Sequence, residues 1–121
     1  MLRTLCLFLI LLAGCASDPW ERHDDSLYQY LKYATPESRE GHVELLGRVV
    51  SWNRDAGRTP PPGVMAEYGY FLALQGEQAK ALEALDEEAR LYPEAAPFVG
   101  ALRSMVRGQG SSLDSRPGDD E

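Results

Sequence analysis

The chain has 121 residues, with 12 Lys and Arg against 19 Asp and Glu, a formal charge of −7. A chain this acidic, with no Lys/Arg cluster, repels phosphate backbones and anionic headgroups, so nucleic-acid binding is excluded. The length suits one small domain with a modest core.

Residues 1 to 14 have the layout of a secretory signal, with Arg3 as the charged region and Leu5 to Leu12 as the apolar run. The run is shorter than the roughly 20 apolar residues that span a bilayer. It ends in Leu12-Ala13-Gly14-Cys15, which resembles the bacterial lipobox; the resemblance implies cleavage before Cys15 and transfer to its sulfur of a diacylglyceryl group, with palmitate among the acyl chains. The alternative is cleavage near Ala16 without lipid. Loss of residues 1 to 14 removes one Arg and no acid, moving the charge from −7 to −8 on 107 residues. Cys6 leaves with the signal, so Cys15 remains as the single cysteine and no disulfide framework is possible. Ala16 and Ser17 follow Cys15 where an Asp commonly marks inner-membrane retention. The resemblance therefore implies the periplasmic face of the outer membrane, reached through the lipid and not through a span.

Residues 15–23 read as the lipidated N-terminus and a short spacer, with Trp20 either in the headgroup region or packed on the domain. The domain proper is expected over 24–107, all-α, with about five helices. The first starts at Asp24 or Asp25 and carries Leu27, Tyr30, Leu31 and Ala34 at spacings of three and four, before Pro36 breaks it. A second runs from about Glu37 to Asn53 or slightly further, with Leu45, Val49, Trp52 and Ala56 in one stripe, widened by Leu46 and Val50. Three prolines within Arg58 to Gly63 form a stiff connector. A third helix covers Val64 to Gln75 with Met65, Tyr68, Phe71 and Leu72. A fourth covers Gln78 to Tyr92 with Leu82, Leu85, Ala89 and Tyr92. Pro93 stops it, and a fifth covers Ala96 to Arg107 with Phe98, Leu102 and Met105. Residues 108–121, rich in Gly, Ser and acid, are expected to be a disordered acidic tail.

Between Pro62 and Pro93 the order of residues resembles a tetratricopeptide repeat. Gly69 stands where a small residue permits close helix contact, Leu72 and Leu85 where bulky ones fill the groove, Gly76 at the turn and Ala81 at the crossing. Met65 replaces the usual Trp, and Glu88 occupies a position where a small residue is expected. A carboxylate there must be exposed or paired. A single repeat cannot bury its own faces, so the flanking helices must complete the core.

The lipobox, Trp20, the stretch Tyr28 to Tyr33, and above all Pro61-Pro62-Gly63-Val64-Met65-Ala66-Glu67-Tyr68-Gly69-Tyr70 with Tyr92-Pro93-Glu94, resemble a small family of Gram-negative lipoproteins of unknown function. These are encoded beside a curli-secretion-channel-like lipoprotein. The resemblance implies envelope lipoproteins as partners and no particular chemistry.

Catalytic constellations are missing. His23 beside Asp24 and Asp25 offers two ligand types without a second histidine nearby in sequence, too little for a metal site. His42 is read as a lone helical histidine, solvated or hydrogen-bonded. No cofactor or metal is assigned, and the chain is read as a non-enzyme. Glu83, Asp86, Glu87 and Glu88 read as a solvated acidic face. The expected function is that of a periplasmic adaptor or accessory subunit of an outer-membrane lipoprotein complex. The alternative is a module binding peptide or cell-wall fragments between the third and fourth helices. Tyr70 and Tyr92 are the candidate partner contacts, and Cys15 the lipidation site.

Overall fold

The computed structural model describes the backbone of residues 17–114 and side chains through 109. The expected signal, Cys15 and residues 115–121 lie outside it. Among the described residues there are five α-helices and no strand: α1 (His23–Tyr33), α2 (Pro36–Asp55), α3 (Val64–Leu74), α4 (Gln78–Leu91) and α5 (Ala96–Asp114). Short 3₁₀ turns, Pro19–Arg22 and Pro93–Ala95, precede α1 and α5. This is the small all-α domain that the periodicity calls for.

Local chemistry sets the boundaries. Ala34, in the left-handed region at φ 49°, ends α1. Thr35 then caps α2 reciprocally: its hydroxyl accepts from the Ser38 N–H and the Ser38 hydroxyl accepts from the Thr35 N–H, both at 3.1 Å. Pro36 therefore does not so much end one helix as occupy the first position of the next, where its missing N–H costs nothing. At the end of α3, Gly76 takes φ 82°, and the Glu77 N–H bonds the Leu72 carbonyl at 3.0 Å, closing the helix with a left-handed cap.

Residue pairs along the α3–α4 hairpin run in opposite senses: Pro60 meets Tyr92, Met65 and Ala66 meet Glu88, and Gly69 meets Ala81 and Leu85. The two helices are antiparallel and very close. A Cβ built on Gly69 would lie 2.9 Å from the Ala81 carbonyl oxygen and 3.0 Å from Leu85 Cγ, so glycine is required there. The main core joins Leu46 of α2, Phe71 and Leu72 of α3, Ala81 and Leu85 of α4, and Val99 and Val106 of α5. A second cluster holds Val49 and Val50 against Val64, Met65 and Ala84. Each fully buried aliphatic side chain contributes about 1.5–3 kcal/mol, and the flanking helices α2 and α5 supply the surfaces that one hairpin lacks.

Several expectations are corrected. On α5 the buried stripe is Val99 and Val106, with Leu102 partly buried; Phe98 and Met105 are 60% and 40% exposed. Both stripes have helical spacing, and the fold buries the one carrying the valines in the main core. On α1, Leu31 and Ala34 face outward, while His23, Ser26, Leu27 and Tyr30 turn toward α2 and α3. Ala56 is exposed beyond the end of α2. The segment read as a spacer up to His23 is partly folded, because the Asp18 carboxylate accepts from the Trp20 N–H at 2.9 Å and starts a turn. The helix expected to end at Arg107 continues to Asp114, since adding a residue to an established helix avoids the cost of nucleation.

Candidate functional site

Three residues from three helices converge at the end of the domain where α1 begins. His23 is the first residue of α1 and is nearly buried; the 3₁₀ turn before it lays the Trp20 ring on its imidazole, centroids 4.4 Å apart and planes 24° from parallel. His42, on α2, is fully buried, with Phe71 edge-on at 4.7 Å. Glu67, in the first turn of α3, lies between them. His23 Nε2 stands 2.8 Å from Glu67 Oε2 and His42 Nε2 stands 2.9 Å from Glu67 Oε1, so each carboxylate oxygen serves one imidazole. The other ring nitrogens are also engaged: His23 Nδ1 with the Asp24 carboxylate and His42 Nδ1 with the Ser26 hydroxyl, both at 3.0 Å.

Hydrogen-bond roles follow from the partners. A carboxylate can only accept, so His23, flanked by two, donates from both nitrogens when charged. Burial works against that charge and is the largest single influence. The hydrogen bonds to Asp24 and Glu67 and the attraction of both carboxylates together outweigh it, and the His23 pKa is raised above 6.5. Glu67 is the mirror case: burial pushes its pKa up, but hydrogen bonds from His42 and His23 and the positive charge of His23 bring it below 4.5. His42 donates to Glu67 from Nε2, and its Nδ1 accepts from the Ser26 hydroxyl. One ligand atom from each of the three residues lies within 4.8 Å of the others, a donor set that can hold either protons or a cation.

Sequence reading dismissed both histidines. His42 is hydrogen-bonded, as one of its two readings had it, and not solvated. Its partners lie 25 residues downstream at Glu67 and 16 upstream at Ser26, and His23 and Glu67 are 44 apart. No local spacing could have joined them. The available signal was two histidines at helix positions where apolar residues belong, each one turn from a small polar or acidic residue.

A second feature lies beside this cluster. Gly63, Ala66, Glu67 and Tyr70 of the α3 region and Phe98 and Leu102 of α5 line an open, mainly apolar groove of about 350 Å³. Tyr70 is partly buried, its ring edge-on to Phe71 at 5.4 Å, and Phe98 stands on the rim. Tyr92 is placed differently: it is partly buried, and its hydroxyl donates to the Pro60 carbonyl at 2.6 Å, fastening the proline connector to the end of α4. Gly69 and Ala81 are in close contact where α3 crosses α4, and the open apolar groove lies between α3 and α5.

The acidic run on α4 is divided by the structure. Glu83 and Asp86 are exposed, with Asp86 paired to Arg103, and Glu87 bonds Arg54 at 2.5 Å. Glu88 is 1% exposed and leaves the solvated face altogether. Its carboxylate accepts from the backbone N–H groups of Gly63, Met65 and Ala66 at 2.7, 3.2 and 3.3 Å, at the N-terminus of α3. The fold pairs this carboxylate instead of exposing it, and the position expected to be small is occupied by a cap.

Among the described residues, no helix is long and apolar enough to cross a membrane. Cys15 lies outside them. No curated protein and no solved structure matches the chain. Residues 19–102 match the family described as a domain of unknown function, DUF4810, and the chain belongs to that family.

Proposed function

For this member of a family whose description names no activity, we propose a lipid-anchored, non-enzymatic accessory subunit of an outer-membrane lipoprotein complex. Cys15 carries the anchor on the periplasmic face, and the helical domain binds a second envelope lipoprotein, of the curli-secretion-channel-like kind that the family resemblance implies. The observation that carries the reading is the groove between α3 and α5, with Phe98 60% exposed at its rim and Tyr70 in its wall. An aromatic ring left in water beside an apolar cleft is the usual composition of an interface anchor. The occupant that fits is an apolar side chain from the partner, flanked by basic residues that complement a chain of formal charge −7.

Photocrosslinking tests this. A crosslinking residue at Phe98 should give an adduct containing a second fatty-acid-labelled protein, whereas one at exposed Glu83 should not. Tyr70→Ala and Phe98→Ala should abolish the adduct formed from a nearby reporter position while helical circular dichroism is kept. If these variants instead weaken a soluble peptide or glycan measured by calorimetry, the domain is a ligand-binding module. Equal adducts at both sites would remove the groove from consideration.

A further inference from the structure

We propose that His23, His42 and Glu67 form a binding site for one divalent transition-metal ion, with zinc the ion the donor set suits best. Two imidazole nitrogens and one carboxylate make up the three protein ligands of a familiar class of zinc centre, which leaves a fourth position for water. The inference stands apart from the docking groove and needs nothing from it.

Geometry is the first argument. Both histidines present Nε2, from two different helices, and both aim it at the same carboxylate on a third. Ligands held at about 2.0–2.2 Å from a tetrahedral ion lie roughly 3.3 Å from one another. The His–Glu separations of 2.8 and 2.9 Å therefore need to open by only about half an ångström once the bridging hydrogens are replaced by the ion. A rotamer adjustment of Glu67, whose side chain keeps 24% of its exposure, supplies this opening, and the ligand atoms, which all lie within 4.8 Å of one another, close on the ion by small ring movements.

The surroundings are the second argument. A metal-bound imidazole normally donates its other N–H to a carboxylate, carbonyl or hydroxyl that fixes the tautomer. Here the outer partners are already in place, Asp24 on His23 Nδ1 and Ser26 on His42 Nδ1, each at 3.0 Å. The Ser26 hydroxyl donates to Nδ1 in the ion-free form and accepts from it when Nε2 turns its lone pair to a metal. Trp20 and Phe71 shield the two rings, which lowers the local dielectric and strengthens charge attraction. The result is a preformed cage of one negative charge among groups that otherwise pack as core.

Third, the cluster spans α1, α2 and α3 at sequence separations of 25 and 44 residues. A bound ion there staples the first helix and its preceding turn to the body of the domain, the way small helical domains with limited cores gain stability.

The test uses the full chain in detergent, stripped with a chelator. Zn²⁺ titrated against a chromophoric chelator should bind at one equivalent, and Co²⁺ should give the visible ligand-field bands of a low-coordinate site. In the wild-type protein, Zn²⁺ should shift the ¹⁵N resonances of Nε2 in both His23 and His42, a readout that needs no variant. Asp24→Asn, which removes only an outer partner, should weaken binding by about 10- to 100-fold. His23→Ala and Glu67→Gln, checked by circular dichroism, should weaken it further. Either of two results overturns the proposal: no Zn²⁺ uptake at stoichiometric concentration, or uptake that persists unchanged in the double variant and leaves the imidazole shifts still.

Discussion

Glu88 reaches from the last turn of the hairpin's second helix to the backbone N–H of Gly63, 25 residues earlier, and accepts from it at 2.7 Å. With the N–H groups of Met65 and Ala66 on its other oxygen, the carboxylate satisfies most of the unpaired donors at the start of α3 and faces the positive end of that helix. Glu88→Ala strands buried donors at about 1–3 kcal/mol each, softened for the exposed Gly63, so urea unfolding should show a loss of about 2–4 kcal/mol. Glu88→Gln keeps one acceptor oxygen and should recover part of it. An unfolding midpoint unmoved by Glu88→Ala would mean that the cap contributes nothing.

The Gly69 approach gives a steric prediction. A methyl group there collides with the Ala81 backbone carbonyl, which has no rotamer by which to yield. Gly69→Ala should cost about 1–3 kcal/mol by overpacking, although alanine is the better helix former, and Ala81→Leu should cost a similar amount. Gly100→Ala is the control, since nothing lies within 4 Å of its added Cβ; it should be neutral or slightly stabilising in the same melts.

Proton linkage in the metal-free protein follows from the two shifted groups. His23 faces Asp24 on its own helix, Glu67 on α3 and His42 on α2. Because its folded pKa is raised, its contribution is complete below 6.5 and fades as pH rises through the folded value. Glu67, lowered from 4.5, contributes above that value and loses its contribution as pH falls through its folded pKa. With chelator present, the stability difference between wild type and His23→Gln should therefore be greatest between 4.5 and 6.5 and shrink on both sides. A difference that grows toward alkaline pH would contradict the charged His23 arrangement.

Cys15→Ala should abolish metabolic labelling by a clickable fatty acid and either release the protein from membranes or block processing of the signal. Labelling that survives the substitution would disprove the lipid anchor and with it the membrane half of the proposed function.

Much of the fold was legible because its punctuation is local: Thr35, Pro36, the proline connector, Gly76 and Pro93 act on their immediate neighbours and mark helix ends wherever they occur. Helix faces were less legible. On α5 the sets Phe98, Leu102, Met105 and Val99, Leu102, Val106 are both apolar and both helical in spacing, and only the tertiary packing of α5 into the core selects the second. The candidate site was least legible of all. Its chemistry depends on three side chains that meet only after α1, α2 and α3 have packed, and each alone is an ordinary polar residue. Glu88 lies between these cases, since its departure from the repeat pattern was visible in sequence while its partner, a helix terminus, was not.

The turn at Pro19–Arg22 and the His23–Glu67 contact also decide where the molecule gives way under load. Force applied to the chain at residue 17 is delivered first to Trp20 and His23, a clasp of one ring stack and one hydrogen-bonded pair. The α3–α4 hairpin, locked by Gly69 and Glu88, lies further along the chain and feels it only after that clasp has opened. The domain is thus built with a weak seam at its N-terminal end and a strong one behind it, so that a molecule pulled from residue 17 peels its first helix while the rest keeps its shape.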